Sequence, residues 1–290
     1  MHAMTSRTAT LTGCGAVALW SLLALLAVAT GAVPPFQLAA MAFAVGGGLG
    51  ALSWLARPHG MRALHQPAIV WALGIGGLFG YHALYFAALR LAPPAQAGLI
   101  NYLWPLLIVL FSAALPGERL RPAYVIGALL GFFGVVVLVA ARGALDLRAE
   151  ASLGYAFSFA AAFVWAGYSV LSRRFGSVPT DAVAGFCLAA SALSLACHLA
   201  FEATVWPVGS SQWLAVLALG IGPLGAAFYL WDVGVKRGDI RLLGIASYAA
   251  PVLSTLLLVL AGFAEPTLAL ALACALIVAG ALVATLARRT

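Results

Sequence analysis

The chain has 290 residues and a net charge of +7, with 64% hydrophobic residues and only 8% charged residues. A soluble domain carries about 25% charged residues, so this composition excludes a soluble globular protein. Composition therefore predicts an all-α integral membrane protein. The cysteines fall in apolar stretches without metal-ligand spacing, so we expect packing residues rather than disulfides or metal ligands at Cys14, Cys187, Cys197 and Cys274.

Ten apolar segments are long enough to span a bilayer, which takes about 20 residues per helix. Proline, glycine and charged residues separate them, and in chain order they are predicted at 11–30, 36–56, 68–89, 95–115, 122–141, 153–172, 182–203, 212–232, 241–262 and 267–287. The short connections leave no room for an extramembrane domain. The first segment could be a secretory signal peptide, but it lacks a good cleavage site, and its Trp20 matches Trp165 of a later segment.

The sequence repeats itself across its two halves. Asn101-Tyr102-Leu103-Trp104-Pro105 returns 146 positions later as Ser247-Tyr248-Ala249-Ala250-Pro251. The same offset carries Tyr85 onto Trp231 and Gly98 onto Gly244. Repetition of this kind in an apolar chain is typical of a transporter, whose two halves enclose a site between them.

The repeat divides the chain into two units, predicted at 1–147 and 148–290. Each unit holds five spans, and an odd number of crossings makes the second unit enter the membrane from the opposite side. The predicted fold is therefore ten transmembrane helices, arranged as two inverted five-helix repeats around a central cavity. Small residues are expected to let helices pack closely at Gly127, Gly131 and Gly134, and at Gly46, Gly47, Gly48 and Gly50.

The basic residues predict the orientation, because Lys and Arg are enriched in cytoplasmic loops. With both termini cytoplasmic, only Arg90, Arg142 and Arg148 face the other side. The cytoplasmic set is Arg7, Arg57, Arg62, Arg119, Arg121, Arg173, Arg174, Lys236, Arg237, Arg241, Arg288 and Arg289. Topology thus accounts for the positive charge, so no nucleic-acid partner is expected. Membrane lipids are the expected surroundings.

Two prolines lie about halfway along the fourth and ninth segments. Pro105 and Pro251 each remove the helix hydrogen bond to the carbonyl four residues earlier, at Asn101 and Ser247. The freed carbonyls must be satisfied by protein or by a water-lined cavity. We expect a substrate site between these two helices, while the alternative is that the prolines only shape helix packing.

Aromatic residues with polar tips are predicted at the same depth as the prolines. Belts at the membrane surface explain Trp54, Trp71, Trp206 and Trp213, which lie near helix ends, but not the residues near the middle of their spans. Such rings could stack on a planar substrate or hold an ammonium group. Helices one, three, four, six, eight and nine supply the expected cavity lining, which comprises Trp20, Tyr81, His82, Tyr85, Asn101, Tyr102, Trp104, Pro105, Trp165, Tyr168, Phe228, Trp231, Ser247, Tyr248 and Pro251.

Titratable groups inside the predicted spans are few. His82 could donate to a substrate carboxylate or serve as a packing residue. Asp232 and Lys236, one helical turn apart, are expected to form an interfacial ion pair, whereas Glu202 and Arg90 are expected to reach toward water. No cofactor, metal site or dedicated proton or sodium site is expected.

The whole chain resembles the drug/metabolite transporter superfamily with its EamA-type repeats, and within it the YddG-type aromatic amino-acid exporters. The resemblance rests on the two sets of five spans, on the aromatic fourth helix with Pro105, and on the step Gly117-Glu118-Arg119-Leu120 after it. The second repeat departs from this pattern, since it offers only Ala264-Glu265-Pro266, shifted by one residue.

The resemblance implies a secondary transporter, not an enzyme, that exports small metabolites, chiefly amino acids including aromatic ones. Export would cross a bacterial inner membrane by alternating access. A small-molecule substrate is the implied partner, and no obligatory protein partner is expected. There are two alternatives. One is a broad-specificity drug or other metabolite exporter of the same fold, and the other is a non-transporting membrane scaffold.

Overall fold

The structure, a computed structural model, describes residues 4–55, 60–116, 120–141, 143, 145, 147–260, 262 and 265–287. Throughout this described part the secondary structure is helical, and it contains ten stretches long and apolar enough to cross a membrane. The predicted all-α class with ten spans is confirmed. We number these stretches span 1 to span 10 in chain order.

The first five spans contain eight α-helices, because three of the spans are interrupted. Spans 2 and 5 are continuous, whereas span 3 has a π-helical segment at Gly76–Gly80 between two α-helices. The helices are α1 (Ser6–Trp20) and α2 (Leu23–Ala29) in span 1, α3 (Pro35–Leu55) in span 2, α4 (Ala68–Ile75) and α5 (Tyr81–Leu91) in span 3, α6 (Pro94–Asn101) and α7 (Trp104–Ser112) in span 4, and α8 (Pro122–Ala140) in span 5.

The last five spans repeat most of this plan. Span 8 has a π-helical segment at Gly222–Ala226, which the 146-residue offset relates to the one in span 3. The helices are α9 (Ser152–Arg174) in span 6, α10 (Ala182–Phe201) in span 7, α11 (Gly209–Ile221) and α12 (Ala227–Arg237) in span 8, α13 (Ile240–Ala246) and α14 (Ala249–Leu260) in span 9, and α15 (Leu268–Ala287) in span 10.

Two helix ends lie about a turn and a half beyond the ranges predicted from apolarity. Helix α1 begins at Ser6 because its threonines stay helical by bonding their own backbone; the Thr10 hydroxyl donates to the Ser6 carbonyl at 2.8 Å. Helix α12 continues to Arg237 because Lys236 is buried against protein instead of reaching water. Hydropathy alone therefore underestimates both helices.

The spans pack in pairs that follow the symmetry of the repeat. Span 5 packs on span 10 and span 2 on span 7, while the span 1–span 8 pair mirrors the span 3–span 6 pair. Close approach depends on small residues, as predicted: a Cβ at Gly127 would lie 2.6 Å from the Gly280 carbonyl oxygen, and one at Gly46 would lie 2.6 Å from the Gly225 Cα. Gly48, in contrast, has no neighbour within 4 Å of such a Cβ.

The charged residues differ partly from the expectation. Asp232 and Lys236 do pair, at 2.8 Å, but both side chains are buried, and Lys236 also donates to the Val178 carbonyl. Glu202 was wrongly expected to reach toward water. It is 2% exposed and binds Arg90 at 2.9 Å, because the free backbone N–H groups at the start of α3 stabilise its carboxylate.

Some sequence predictions concern residues outside the described part of the chain. These are the step Gly117-Glu118-Arg119, Ala264 of its counterpart, and the basic residues Arg57, Arg142, Arg288 and Arg289. All four cysteines are free, as expected, and Cys187 is buried.

Candidate functional site

A pocket of about 150 Å³ lies between spans 1, 3, 4, 6, 8 and 9. These are the six spans that were predicted from the sequence to line a cavity. Nine of the predicted site residues line the pocket: Trp20, Tyr81, His82, Tyr85, Asn101, Tyr102, Trp104, Trp165 and Phe228. The remaining lining residues are Leu23, Pro223, Leu224 and Ala250.

Four tryptophans form one cluster at the base of the pocket, which we call the tryptophan floor: Trp20, Trp104, Trp165 and Trp231. Every pair of these rings has its centroids between 5.1 and 6.3 Å apart, mostly edge to face. Edge-to-face contact directs ring hydrogens at neighbouring π faces, which favours a fixed arrangement. The floor therefore offers a substrate a preformed aromatic surface.

The indole N–H groups of two floor residues are satisfied within the protein. Trp20 donates to the Pro223 carbonyl at 3.1 Å, and Trp231 donates to the Ser169 hydroxyl at 3.0 Å. Pro223 lies in the π-helical segment of span 8. The bond therefore ties Trp20 of span 1 to this irregular part of span 8 and fixes the orientation of the indole ring.

The polar groups of the pocket come mainly from spans 3 and 4. The Asn101 amide Nδ2 donates to the Tyr81 hydroxyl at 2.9 Å, while the Asn101 Oδ1 has no partner among the described residues. The His82 Nδ1 lies 2.7 Å from the Leu78 carbonyl. A carbonyl can only accept, so His82 donates from Nδ1, and a neutral ring is left with Nε2 as an acceptor. This arrangement suits a donor such as an ammonium group.

The two π-helical segments explain why side chains of spans 3 and 8 converge on the pocket. Each segment adds a residue to the helical turn and so rotates the following residues relative to the preceding ones. Tyr81 and His82 are the first two residues after the π-helical segment in span 3, and Phe228 is the second residue after the π-helical segment in span 8. The sequence contained glycines at both places, but no pattern that predicts a π-helix.

Six predicted site residues do not line this pocket. Trp231, the floor residue that does not border the pocket, is fully buried, and Tyr168 lines a separate pocket of about 10 Å³ that also includes Asp232 and Lys236. The Ser247 hydroxyl donates to the Leu243 carbonyl at 2.7 Å. The other three are Tyr248, whose hydroxyl accepts from the Leu106 amide, and the prolines Pro105 and Pro251. A role for these six in substrate binding stays a prediction.

The sequence reasoning missed four lining residues, which are small or aliphatic. Ala250 was within reach, because the 146-residue offset relates it to Trp104. Leu23 lies just after a break in span 1 at Ser21, whose hydroxyl donates to the Ala18 carbonyl. No proline marks that break, so hydropathy gave no signal for it.

Comparison with known proteins identifies the family. The sequence matches the EamA-like transporter family twice, over residues 7–140 and 152–286. The chain belongs to this family. The predicted resemblance to the drug/metabolite transporters with EamA-type repeats is thereby confirmed, and membership of a transporter family agrees with the expectation that the chain is not an enzyme.

Two relatives and one solved structure give the comparison its detail. The chain is 64% identical over 287 residues to the aromatic amino acid exporter YddG of Ancylobacter novellus, covering 99% of this chain and 100% of that one. It is 28% identical to the exporter of the same name from Salmonella typhimurium, over 88% of each chain. A crystal structure of a protein 63% identical in sequence superposes with a TM-score of 0.95 over 98% of this chain and 99% of that one. These relatives and the ten apolar helices indicate a multi-pass membrane transporter.

Proposed function

We propose that this protein exports amino acids, including aromatic ones, across a bacterial inner membrane by alternating access. The observation that carries the proposal is the pocket, where nine aromatic or polar residues from three spans of the first repeat and two of the second surround one space. The similarity to the aromatic amino acid exporter of Ancylobacter novellus supports the substrate class.

The pocket matches the parts of an amino acid one by one. An aromatic or aliphatic side chain would lie against the tryptophan floor, where each ring contact contributes on the order of 0.5 to 1.5 kcal/mol. An ammonium group would donate to Asn101 Oδ1 and face the rings of Tyr81 and Trp165, which are 5.3 Å apart. The hydroxyl groups of Tyr85 and Tyr102 are the donors for a carboxylate.

Packing around the pocket supports alternating access. We call the side that holds the start of span 1 the N-terminal side. Toward that side of the tryptophan floor, Leu243 and Ile108 are fully buried, as is Trp231 of the floor itself, and α7 packs on α13. In the other half, α6 and α14, which the 146-residue offset relates to α13 and α7, have no comparable packing within the described residues. The pocket therefore has one loosely packed side, and release on the other side needs a second conformation.

The predicted orientation sets which side of the membrane the open pocket faces. If both termini are cytoplasmic, the loosely packed side faces the periplasm and the closed side faces the cytoplasm. The two units at 1–147 and 148–290 would then exchange their conformations during each cycle. We retain this orientation and this division as part of the proposal.

Transport by purified protein in proteoliposomes tests the proposal. Phenylalanine, tyrosine and a lipophilic cation would each be supplied as radiolabelled substrates. Trp104→Ala, Tyr102→Ala and His82→Ala should each lower amino-acid transport about 10-fold or more, because each removes a contact worth about 1 kcal/mol or more and opens a cavity. Trp213→Ala is the matched control, since Trp213 is 42% exposed and stacks only on Trp206.

The expected result is amino-acid transport in the wild type and in the control, with strong loss in the three pocket variants. Transport of the lipophilic cation alone would favour a drug exporter of the same fold. Normal amino-acid rates in all three pocket variants would refute the site, and the absence of any transport would favour a scaffold.

A further inference from the structure

The break in span 4 is repaired by a residue of the other repeat. Helix α6 ends at Asn101 and α7 begins at Trp104, so the first amides of α7 lack regular helical partners. The Leu106 amide donates to the Tyr248 hydroxyl at 3.1 Å. Tyr248 is fully buried, and its ring packs against Gly131, where a Cβ would clash with it. Tyr248 thus acts as a side-chain cap for a helix of the opposite repeat.

Spans 4 and 9 also approach each other closely in the same region. Gly244 of α13 faces α7 so closely that a Cβ there would lie 3.0 Å from the Pro105 carbonyl oxygen and 3.2 Å from Ile108. The Tyr248 cap and the Gly244 contact therefore close the N-terminal side of the pocket together. Both depend on residues that the repeat supplies twice.

The symmetry-related residues make neither contact. The 146-residue offset relates Tyr102 to Tyr248 and Gly98 to Gly244. Tyr102 lines the pocket, and a Cβ at Gly98 would meet only the Tyr85 hydroxyl, at 3.5 Å. Helices α6 and α14, which correspond to α13 and α7, have no comparable packing within the described residues. The closing contacts are thus formed on one side of the pocket and absent on the other.

We propose that Tyr248 and Tyr102 are alternating caps that hold the two access conformations of the transporter. In the conformation described here, Tyr248 caps span 4 at Leu106. In the opposite conformation, Tyr102 caps span 9 at Val252, the residue that the offset relates to Leu106, while Gly98 packs on the Pro251 carbonyl. Tyr248 then leaves its cap and faces the newly opened side.

The physical reason is that an unpaired backbone amide is costly where no water reaches it. Spans 4 and 9 each have a break that leaves a backbone amide in need of an acceptor. Because the acceptor lies on the opposite repeat, repairing one break also draws the two half-helices together and closes that side of the pocket. The two caps cannot form at once if only one side closes in each conformation.

The distance between α6 and α14 reports which conformation is populated. After replacement of the four native cysteines by alanine, nitroxide labels on Ala95→Cys and Leu260→Cys give this distance by pulsed electron spin resonance in lipid nanodiscs without substrate. Both positions are exposed. Loss of one net hydrogen bond should change the ratio of short to long distances about 2- to 10-fold.

Opposite shifts are the expected outcome. Tyr248→Phe should increase the short-distance population, Tyr102→Phe should decrease it, and the double variant should return toward the wild type. Gly244→Ala and Gly98→Ala provide a second pair that leaves both hydroxyl groups in place. Gly244→Ala should act like Tyr248→Phe, and Gly98→Ala like Tyr102→Phe, since each blocks one closing contact.

Shifts of both tyrosine variants in the same direction, or no shift in either variant pair, would overturn the proposal. Gel filtration of each variant shows that it is folded, and the glycine pair decides the matter if a tyrosine variant does not fold. The proposal rests on the proposed function only for the existence of a second conformation. Because the distances are measured without substrate, a failure of amino-acid transport in the proteoliposome assay is distinguishable from a failure of the caps.

Discussion

At the scale of single residues, the side-chain oxygen of Asn101 is the acceptor best placed to bind a ligand in the pocket. Its Oδ1 is buried and has no hydrogen-bond partner in the described part of the chain, while its Nδ2 is held by the Tyr81 hydroxyl. A buried polar atom without a partner is costly, and such atoms are uncommon unless they serve a purpose. The position of Asn101 on the pocket wall makes a substrate ammonium group the fitting partner.

Replacement of this acceptor should weaken substrate binding selectively. A hydrogen bond to a charged group contributes about 1.5 to 3 kcal/mol, so Asn101→Leu should raise the KM for phenylalanine about 10-fold or more. The KM for phenylpropionate, which lacks the ammonium group, should change little. Transport kinetics in proteoliposomes with both compounds measure the difference.

Ser194→Ala is the control for Asn101→Leu. The Ser194 hydroxyl is also buried without a partner among the described residues, but Ser194 does not line the pocket. Its replacement should leave both KM values unchanged. An equal rise in KM for the two compounds in Asn101→Leu would show that Asn101 supports the pocket without binding the ammonium group.

The sequence could predict most of the residues that line the pocket, because a polar aromatic residue in mid-span has few other uses. It could not separate lining residues from those packed behind them. Trp20 and Trp231 both belong to the tryptophan floor, yet only Trp20 borders the pocket. The difference depends on the rotation of each helix about its axis, which π-helical segments and breaks change by amounts that periodicity does not give.

At the scale of elements, the pairing of span 5 with span 10 combines close backbone approach at glycines with packed aliphatic side chains such as Val135 and Ile277. A Cβ at Gly127 would lie 2.6 Å from the Gly280 carbonyl oxygen, and one at Gly280 would clash with the Gly127 carbonyl. In a bilayer, such close contact supplies the van der Waals attraction that holds helices together. Neither span lines the pocket, so the contact between them can be tested through protein stability.

Gly127→Ala should destabilise the protein, because overpacking at a close helix contact costs about 1 to 3 kcal/mol. Gly167→Ala is the matched control: Gly167 also lies in a long helix, but no atom is within 4 Å of an added Cβ. In that variant the higher helix propensity of alanine should keep or raise stability by about 0.5 to 1 kcal/mol. The fraction of protein that stays monodisperse in gel filtration after heating gives an apparent Tm for each variant. Equal Tm values would contradict close packing at Gly127.

Element positions were largely predictable, whereas interruptions inside elements were not. Apolar runs bounded by proline, glycine and charge define the ten spans because the bilayer demands about 20 such residues. Pro105 and Pro251 also marked the broken spans 4 and 9 correctly. The break in span 1 and the π-helix in span 3 contain no proline, whereas the π-helix in span 8 has Pro223 as its second residue, whose carbonyl accepts from Trp20.

At the scale of the whole molecule, the two repeats share a plan but not a conformation. Lys236 and Arg90 are related by the 146-residue offset, yet Lys236 is 5% exposed and bound to Asp232, whereas Arg90 is 47% exposed and bound to Glu202. The closed side thus buries its charged pair and the loosely packed side leaves its cation near water. Sequence alone shows the symmetry, while its breaking is a property of the conformation.

The orientation of this asymmetric molecule decides which side of the membrane the open side of the pocket faces, and the excess of basic residues predicts that both termini are cytoplasmic. The loop between spans 7 and 8 should then face the periplasm, and the turn between spans 6 and 7 the cytoplasm. Val208, which is 78% exposed, and Ser177 lie in these two connections. Neither residue is charged, so cysteine at either site leaves the topology signal unchanged.

In intact cells whose outer membrane is permeable to the reagent, a membrane-impermeant maleimide should label Val208→Cys in a protein without native cysteines. Ser177→Cys should react only after the inner membrane is disrupted, because the reagent cannot cross it. The reverse pattern would place the open side of the pocket toward the cytoplasm. The conformation described here would then be open to substrate from inside the cell. The labelling result therefore shows which half of the export cycle the structure represents.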